Sequence, residues 1–157
     1  MQQELGSRLR FISVSERILL TLWIGGLWSI GYMAVPTLFT VLDDRLLAGE
    51  IAGNLFHVVN YLGLVCGTLL LLSTLIKFGK HWLIWVLITM LILVSLSEFR
   101  LQPMMHELKL LGLIEGTEQQ DQFRLYHGLS QVIYLVNALL GLTLVIFNSQ
   151  VRGEQRR

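Results

Sequence analysis

The chain has 157 residues, of which 54% are hydrophobic and 15% charged, with a formal net charge of +1. Soluble domains carry about 25% charged residues, so a water-soluble globule is disfavoured, and a disordered chain is excluded by the high hydrophobicity. A charge of +1 with no basic stripe also argues against a nucleic-acid partner.

Charge is absent from four long blocks, which predict an all-α integral membrane four-helix bundle forming one domain. The predicted spans are residues 18–42, 51–77, 81–102 and 125–148. About 20 apolar residues cross a hydrocarbon core at about 1.5 Å rise each. In lipid, a helix satisfies its own backbone, whereas a barrel needs alternating strands that these continuous blocks do not offer.

The first block, ILLTLWIGGLWSIGYMAVPTLFTVL, is too long and starts too late for a signal peptide, so it reads as a retained helix. Upstream, Leu5, Leu9 and Ile12 have helical spacing beside Arg8, as in a helix lying at the membrane surface. Asp43, Asp44 and Arg45 mark the first turn, and Lys77, Gly79 and Lys80 the second. Pro103 is expected to end or kink the third helix. The amphipathic stretch MMHELKLLGLIEG that follows predicts a short interfacial helix between spans three and four.

Lysine and arginine placement sets the orientation. Eight (Arg8, Arg10, Arg17, Lys77, Lys80, Arg152, Arg156, Arg157) share the side of the termini, and four (Arg45, Arg100, Lys109, Arg124) lie opposite. The expectation is a bacterial inner membrane protein with both termini cytoplasmic.

Helices in lipid associate through small residues. The stripe Thr21, Gly25, Ser29, Tyr32, Pro36 and Thr40 is therefore expected to face inward, together with Gly63 and Gly67 of the second helix and Gly141 of the fourth. Trp23 and Trp28 lie deep enough to pack. The lone Cys66 sits in an apolar run, has no partner within the chain and behaves as a small hydrophobe.

Antiparallel threading gathers His57, Asn60, Glu98, Arg100, His106, His127 and Gln131 at one end, away from the termini. This is the candidate polar cluster. An ionisable residue inside a membrane is a functional candidate by default. Glu98 and Arg100 point about 160° apart on an ideal helix, so Glu98 needs a partner on another helix, a proton, or interfacial water. His57 and His127 offer imidazoles for a haem or metal ion; nothing else in the sequence calls for a cofactor. There is no GxSxG, P-loop, GxGxxG or HExxH motif, so no enzyme class is marked.

The runs LLTLWIGGLWSIGYMAVPTLF, AGNLFHVVNYLGLVCG, LQPMMHELK and FRLYHGLSQVIYLVNALLGL resemble the transmembrane-protein-205-like family of four-helix membrane proteins. The resemblance covers most of Leu19 to Leu142 and implies four spans without an established reaction. A eukaryotic relative is associated with resistance to platinum drugs, which implies export or metal handling. Helix one alone is similar to the membrane oxidases that make protoporphyrin and bind haem, through Trp23, Gly25, Gly26, Trp28, Pro36, Leu38 and Phe39. The arginine and histidine of that family after the proline are absent, with Thr37 and Val41–Leu42 in their region.

Three functions follow. The first reading is a structural or accessory bundle, working with lipid as a homo-oligomer or within a larger membrane complex. The second is a haem- or metal-binding redox protein using His57 and His127. The third is a small transporter or proton-conducting bundle using Glu98.

Overall fold

The computed structural model describes the backbone of residues 2–78, 82–112 and 116–154, and the side chains of residues 14–76, 82–112 and 116–147. The predicted turn residues Gly79 and Lys80 lie outside these, as do the side chains of Leu5, Arg8, Leu9, Ile12 and Lys77.

Continuous apolar sequence folds into four antiparallel helical rods. The first joins α1 (Gln2–Ser29) through a π-turn (Ile30–Ala34) to α2 (Val35–Val41). The chain then becomes extended at Leu42. Asp44 caps the next helix, its Oδ1 accepting the N–H of Leu46 at 2.8 Å and of Leu47 at 3.2 Å, which satisfies two of the donors a helix start leaves unpaired. The second rod is α3 (Arg45–Phe78). The third joins α4 (Trp82–Leu96) through a second π-turn (Ser97–Leu101) to α5 (Gln102–Leu110). It stops at Gly112, whose φ of +84° suits a residue without Cβ. The fourth is α6 (Glu118–Glu154), with Glu118 and Asp121 in its first turn at the positive end of the helix dipole.

Each rod contains a stretch long and apolar enough to cross a membrane: Val14–Val41, Arg45–Ile76, Trp82–Leu110 and Glu118–Phe147. The protein is an all-α integral membrane four-helix bundle. Around the ring, α1 packs on α3, α3 on α4, α4 on α6 and α6 back on α1. Gln2 and Glu154 lie at one end, here called proximal. Residues 42–44, 111–112 and 116–117 lie at the other, distal end.

Pro103 does not end the third rod. The backbone stays helical through Leu101 and Gln102, and the short helix expected after it, α5, continues span three without a break. The π-turn explains this. Proline clashes with the carbonyl four residues earlier, here that of Phe99, in the middle of the widened turn. There the Gln102 N–H reaches back five residues to the Ser97 carbonyl. The first rod repeats the device, with the Val35 N–H on the Ile30 carbonyl and Pro36 following.

The core is assembled from Leu20, Trp23, Ile24 and Leu27 of α1, Val59, Cys66 and Leu70 of α3, Leu83, Leu87, Met90 and Val94 of α4, and Leu144 of α6. A smaller distal cluster joins Leu101 and Met105 to Ile133. Trp23 is fully buried, its ring lying where side chains at Gly63 and Gly67 would otherwise stand. Ile24 fills the space beside Gly141 in the same way.

The small-residue stripe of the first rod faces outward, contrary to the sequence expectation. Thr21, Gly25, Ser29, Tyr32, Pro36 and Thr40 are all exposed, and nothing lies within 4 Å of a Cβ built on Gly25. The inward face of α1 carries its large residues, which seat against the glycines of α3 and α6. Gly26, the neighbour of Gly25, does meet the interior, against Val59 and Leu62.

Candidate functional site

Glu98 is the polar centre of the distal half. It lies in the second π-turn, sixteen residues beyond Trp82, about 24 Å along the rod. The residue is 4% exposed. Two side chains of α3 meet its carboxylate: His57 Nδ1 at 2.5 Å from Oε1, and Asn60 Nδ2, which donates to Oε2 at 3.0 Å. His57 and Asn60 are three apart, so both lie on the α3 face turned to α4.

The burial is graded. Asn60 is 5% exposed, the Glu98 side chain 2% and the His57 side chain 45%. His57 is therefore the group through which the carboxylate meets the outside. A carboxylate is acceptor-only, so Nδ1 carries the shared hydrogen in the charged-carboxylate form and leaves Nε2 on the opposite edge of the ring. The pair can also hold its proton on Glu98, with Nδ1 accepting. A carboxylate and an imidazole at this distance exchange a proton without moving heavy atoms.

The other members of the predicted cluster stand apart from this site. Arg100 and His106 are exposed and take no part in the Glu98 pair. His127 lies beside Gln131 one turn along α6, their Nε2 atoms 3.1 Å apart. The His127 ring stacks on Phe123 at 5.9 Å, and the Lys109 ammonium lies 5.7 Å from the centre of that Phe123 ring. Phe56 meets Tyr134 edge-on at 5.0 Å, which levels His57 with the middle of α6. His127, seven residues before Tyr134, is then about 10 Å more distal. Among the described residues, no group of three or more His, Cys, Asp or Glu stands close enough to hold a metal ion.

Sequence reasoning missed one buried carboxylate. Glu16, at the proximal end of the first span, is 8% exposed and accepts the Ser73 hydroxyl at 2.5 Å. It falls two residues before the first uncharged block, outside the predicted spans. The signal was available in Ser73, a hydroxyl inside the apolar end of α3.

The fold and site define a class: a four-span membrane bundle whose apolar interior holds an anchored carboxylate in its distal half. The sequence profile of the family described as "Domain of unknown function (DUF4149)" matches residues 18–112, and the chain belongs to that family. No curated protein and no solved structure matches it.

Proposed function

We propose that this protein handles protons across a bacterial inner membrane, with Glu98 as the proton-holding group and His57 as its contact with the distal side. One observation carries the reading. A carboxylate buried to 2% in a membrane bundle is bonded at both oxygens by side chains of another helix, one of them a titratable ring that is 45% exposed. Burying such a group costs several kcal/mol and is tolerated mainly where it works. A structural clamp needs no titratable partner.

The transfer step is balanced. A proton taken up at Nε2 of His57 lets Nδ1 pass its hydrogen to Oε1 of Glu98. The O–H bond forms as the N–H bond breaks, and the ring returns to its neutral form. Release runs the same step backwards. The eight-to-four distribution of basic residues supports cytoplasmic termini, so the distal site faces the exoplasmic side. Four rods are few for a carrier built on inverted repeats, which favours work as a homo-oligomer or within a larger membrane complex. The motifs shared with the transmembrane-protein-205-like family support a kinship with other small four-span proteins. Joint ligation of haem or metal by His57 and His127 has the difference of about 10 Å in their heights against it.

The test is proton flux into liposomes carrying the purified protein and a trapped pH dye. Glu98→Gln is expected to lower the flux at least tenfold. Flux equal in the wild type and Glu98→Gln, or no flux above empty liposomes, overturns the reading.

A further inference from the structure

The midpoint of the stretch Arg45–Ile76 falls between Asn60 and Tyr61, and that of Trp82–Leu110 at Leu96, two residues before Glu98. At about 1.5 Å per residue, the His57–Glu98 pair lies within about 5 Å of mid-depth. A hydrocarbon layer is about 30 Å thick, so the pair lies about 10 Å inside its distal boundary.

The open edge of His57 belongs to the outer surface of the bundle. Tyr61, one turn along α3, shares its side of the helix, whereas Val59, Asn60 and Gly63 turn inward. The Tyr61 ring meets that of Phe99 in the third rod at 6.5 Å and 87°. Both rings expose about half of their surface or more, and Phe99 follows Glu98 in the chain. The outer side of the α3–α4 seam thus carries a half-exposed imidazole and, one turn nearer mid-depth, two aromatic rings set edge to face. Glu98 holds Nδ1 of the imidazole. Nε2 has no hydrogen-bond partner among the described residues, and acyl chains offer it none.

What completes this edge must dissolve in hydrocarbon and bring an oxygen to Nε2. The ester oxygens of a phospholipid stay at the boundary, about 10 Å away. The carbonyls of a neighbouring helix are already bonded within that helix. A ring bearing its own oxygen reaches the site, and its face or edge packs on Tyr61 and Phe99. Protonation narrows the class further. With a bare carboxylate at Glu98, Nδ1 carries the ring hydrogen and Nε2 accepts. With one proton more on the pair, Nε2 carries a hydrogen and donates. The matching oxygen is one that exists both as a hydroxyl and as a carbonyl, as in a quinol and its quinone.

We propose that the outer α3–α4 seam binds the headgroup of a membrane-dissolved quinone, with a ring oxygen on Nε2 of His57 and the ring against Tyr61 and Phe99. This goes beyond the proton-handling reading and stands or falls apart from it, since binding requires the seam and not flux.

The experiment irradiates purified protein in lipid nanodiscs with an azido-benzoquinone. Mass spectrometry maps the label, and decylubiquinone or its quinol, kept anaerobic, competes. Saturable, displaceable label is expected on α3 and the third rod beside His57 and Phe99. His57→Ala should raise the half-saturating concentration at least tenfold, and the double Tyr61→Ala/Phe99→Ala at least fivefold. In Glu98→Gln, Asn60 keeps the amide oxygen, so the amide NH2 faces Nδ1 and fixes Nε2 as a donor. Quinone should then displace the label as in the wild type, while quinol should need at least threefold more. Label spread along the lipid-facing surface and not displaced overturns the site, as does wild-type half-saturation in His57→Ala. A His57-dependent dimer with an unlabelled seam also overturns it, by putting a second copy there. Should His57→Ala fail to fold by gel filtration and helix content, the double variant decides: half-saturation within twofold of the wild type overturns the assignment. Proton flux that Glu98→Gln abolishes in quinone-free liposomes, beside no specific label, overturns the quinone site alone. Specific label without flux overturns the proton reading alone.

Discussion

Nδ1 of His57 lies 2.5 Å from Oε1 of Glu98, across forty-one residues of chain and between two antiparallel rods. Asn60 binds the other oxygen, so the carboxylate is fixed in the plane that the α3 face defines. This pair ties the third rod to the second at a height between the main apolar core and the smaller distal cluster of Leu101, Met105 and Ile133.

Asn60→Ala should destabilise the protein by about 1–2 kcal/mol, because it leaves one oxygen of a buried carboxylate unpaired. Unfolding in mixed micelles measures this. Glu98→Gln should cost less, within about 1 kcal/mol, because the amide keeps the shape and one acceptor. A large flux loss with a small stability loss in Glu98→Gln separates a working group from a clamp.

The glycines divide into two groups. A Cβ at Gly63 would stand 2.4 Å from Trp23 Nε1, and at Gly67 2.8 Å from the Trp23 ring and from Leu91. Each change to alanine should cost about 1–3 kcal/mol by overpacking. Gly25 and Gly53 have nothing within 4 Å, and alanine there should be neutral or stabilising by up to about 1 kcal/mol through helix propensity. Equal effects in the two groups would contradict this packing of α1 on α3.

Tyr134 donates its hydroxyl to the Leu27 carbonyl at 2.5 Å, and its ring lies beside Gly31. Tyr134→Phe should cost about 1 kcal/mol, the value of one hydrogen bond. Gly31→Ala should cost more, since its Cβ would stand 2.3 Å from the ring. The same unfolding assay ranks the two variants.

Four uncharged blocks bounded by charged turns are enough to read four rods, because lipid leaves the backbone no alternative to the helix. His57, Asn60 and Glu98 were legible as polar residues inside the predicted spans, and threading alone puts them in one half of the bundle. Their pairing was not legible: spacing along a helix says which face two residues share, not which neighbour that face meets. Arg100 and His106 fell into the same cluster by height while facing outward. The small-residue stripe misled for a related reason. Both the lipid and the interior accept apolar surface, so size alone does not assign a face. Here close approach is achieved by seating large Trp23 and Ile24 of α1 against Gly63, Gly67 and Gly141 on the facing helices.

The π-turn at Ser97–Leu101 holds one residue more than an α-helical turn requires. Leu83, Leu87, Met90 and Val94 line the interior below it, Met105 and Leu108 above it. Deleting a single amino acid within 97–101 would let the widened turn close into an ordinary helical one, with the Gln102–Leu110 segment kept in its present phase. The loss would fall on the backbone that seats the Glu98 carboxylate, not on the apolar contacts of Met105 and Leu108.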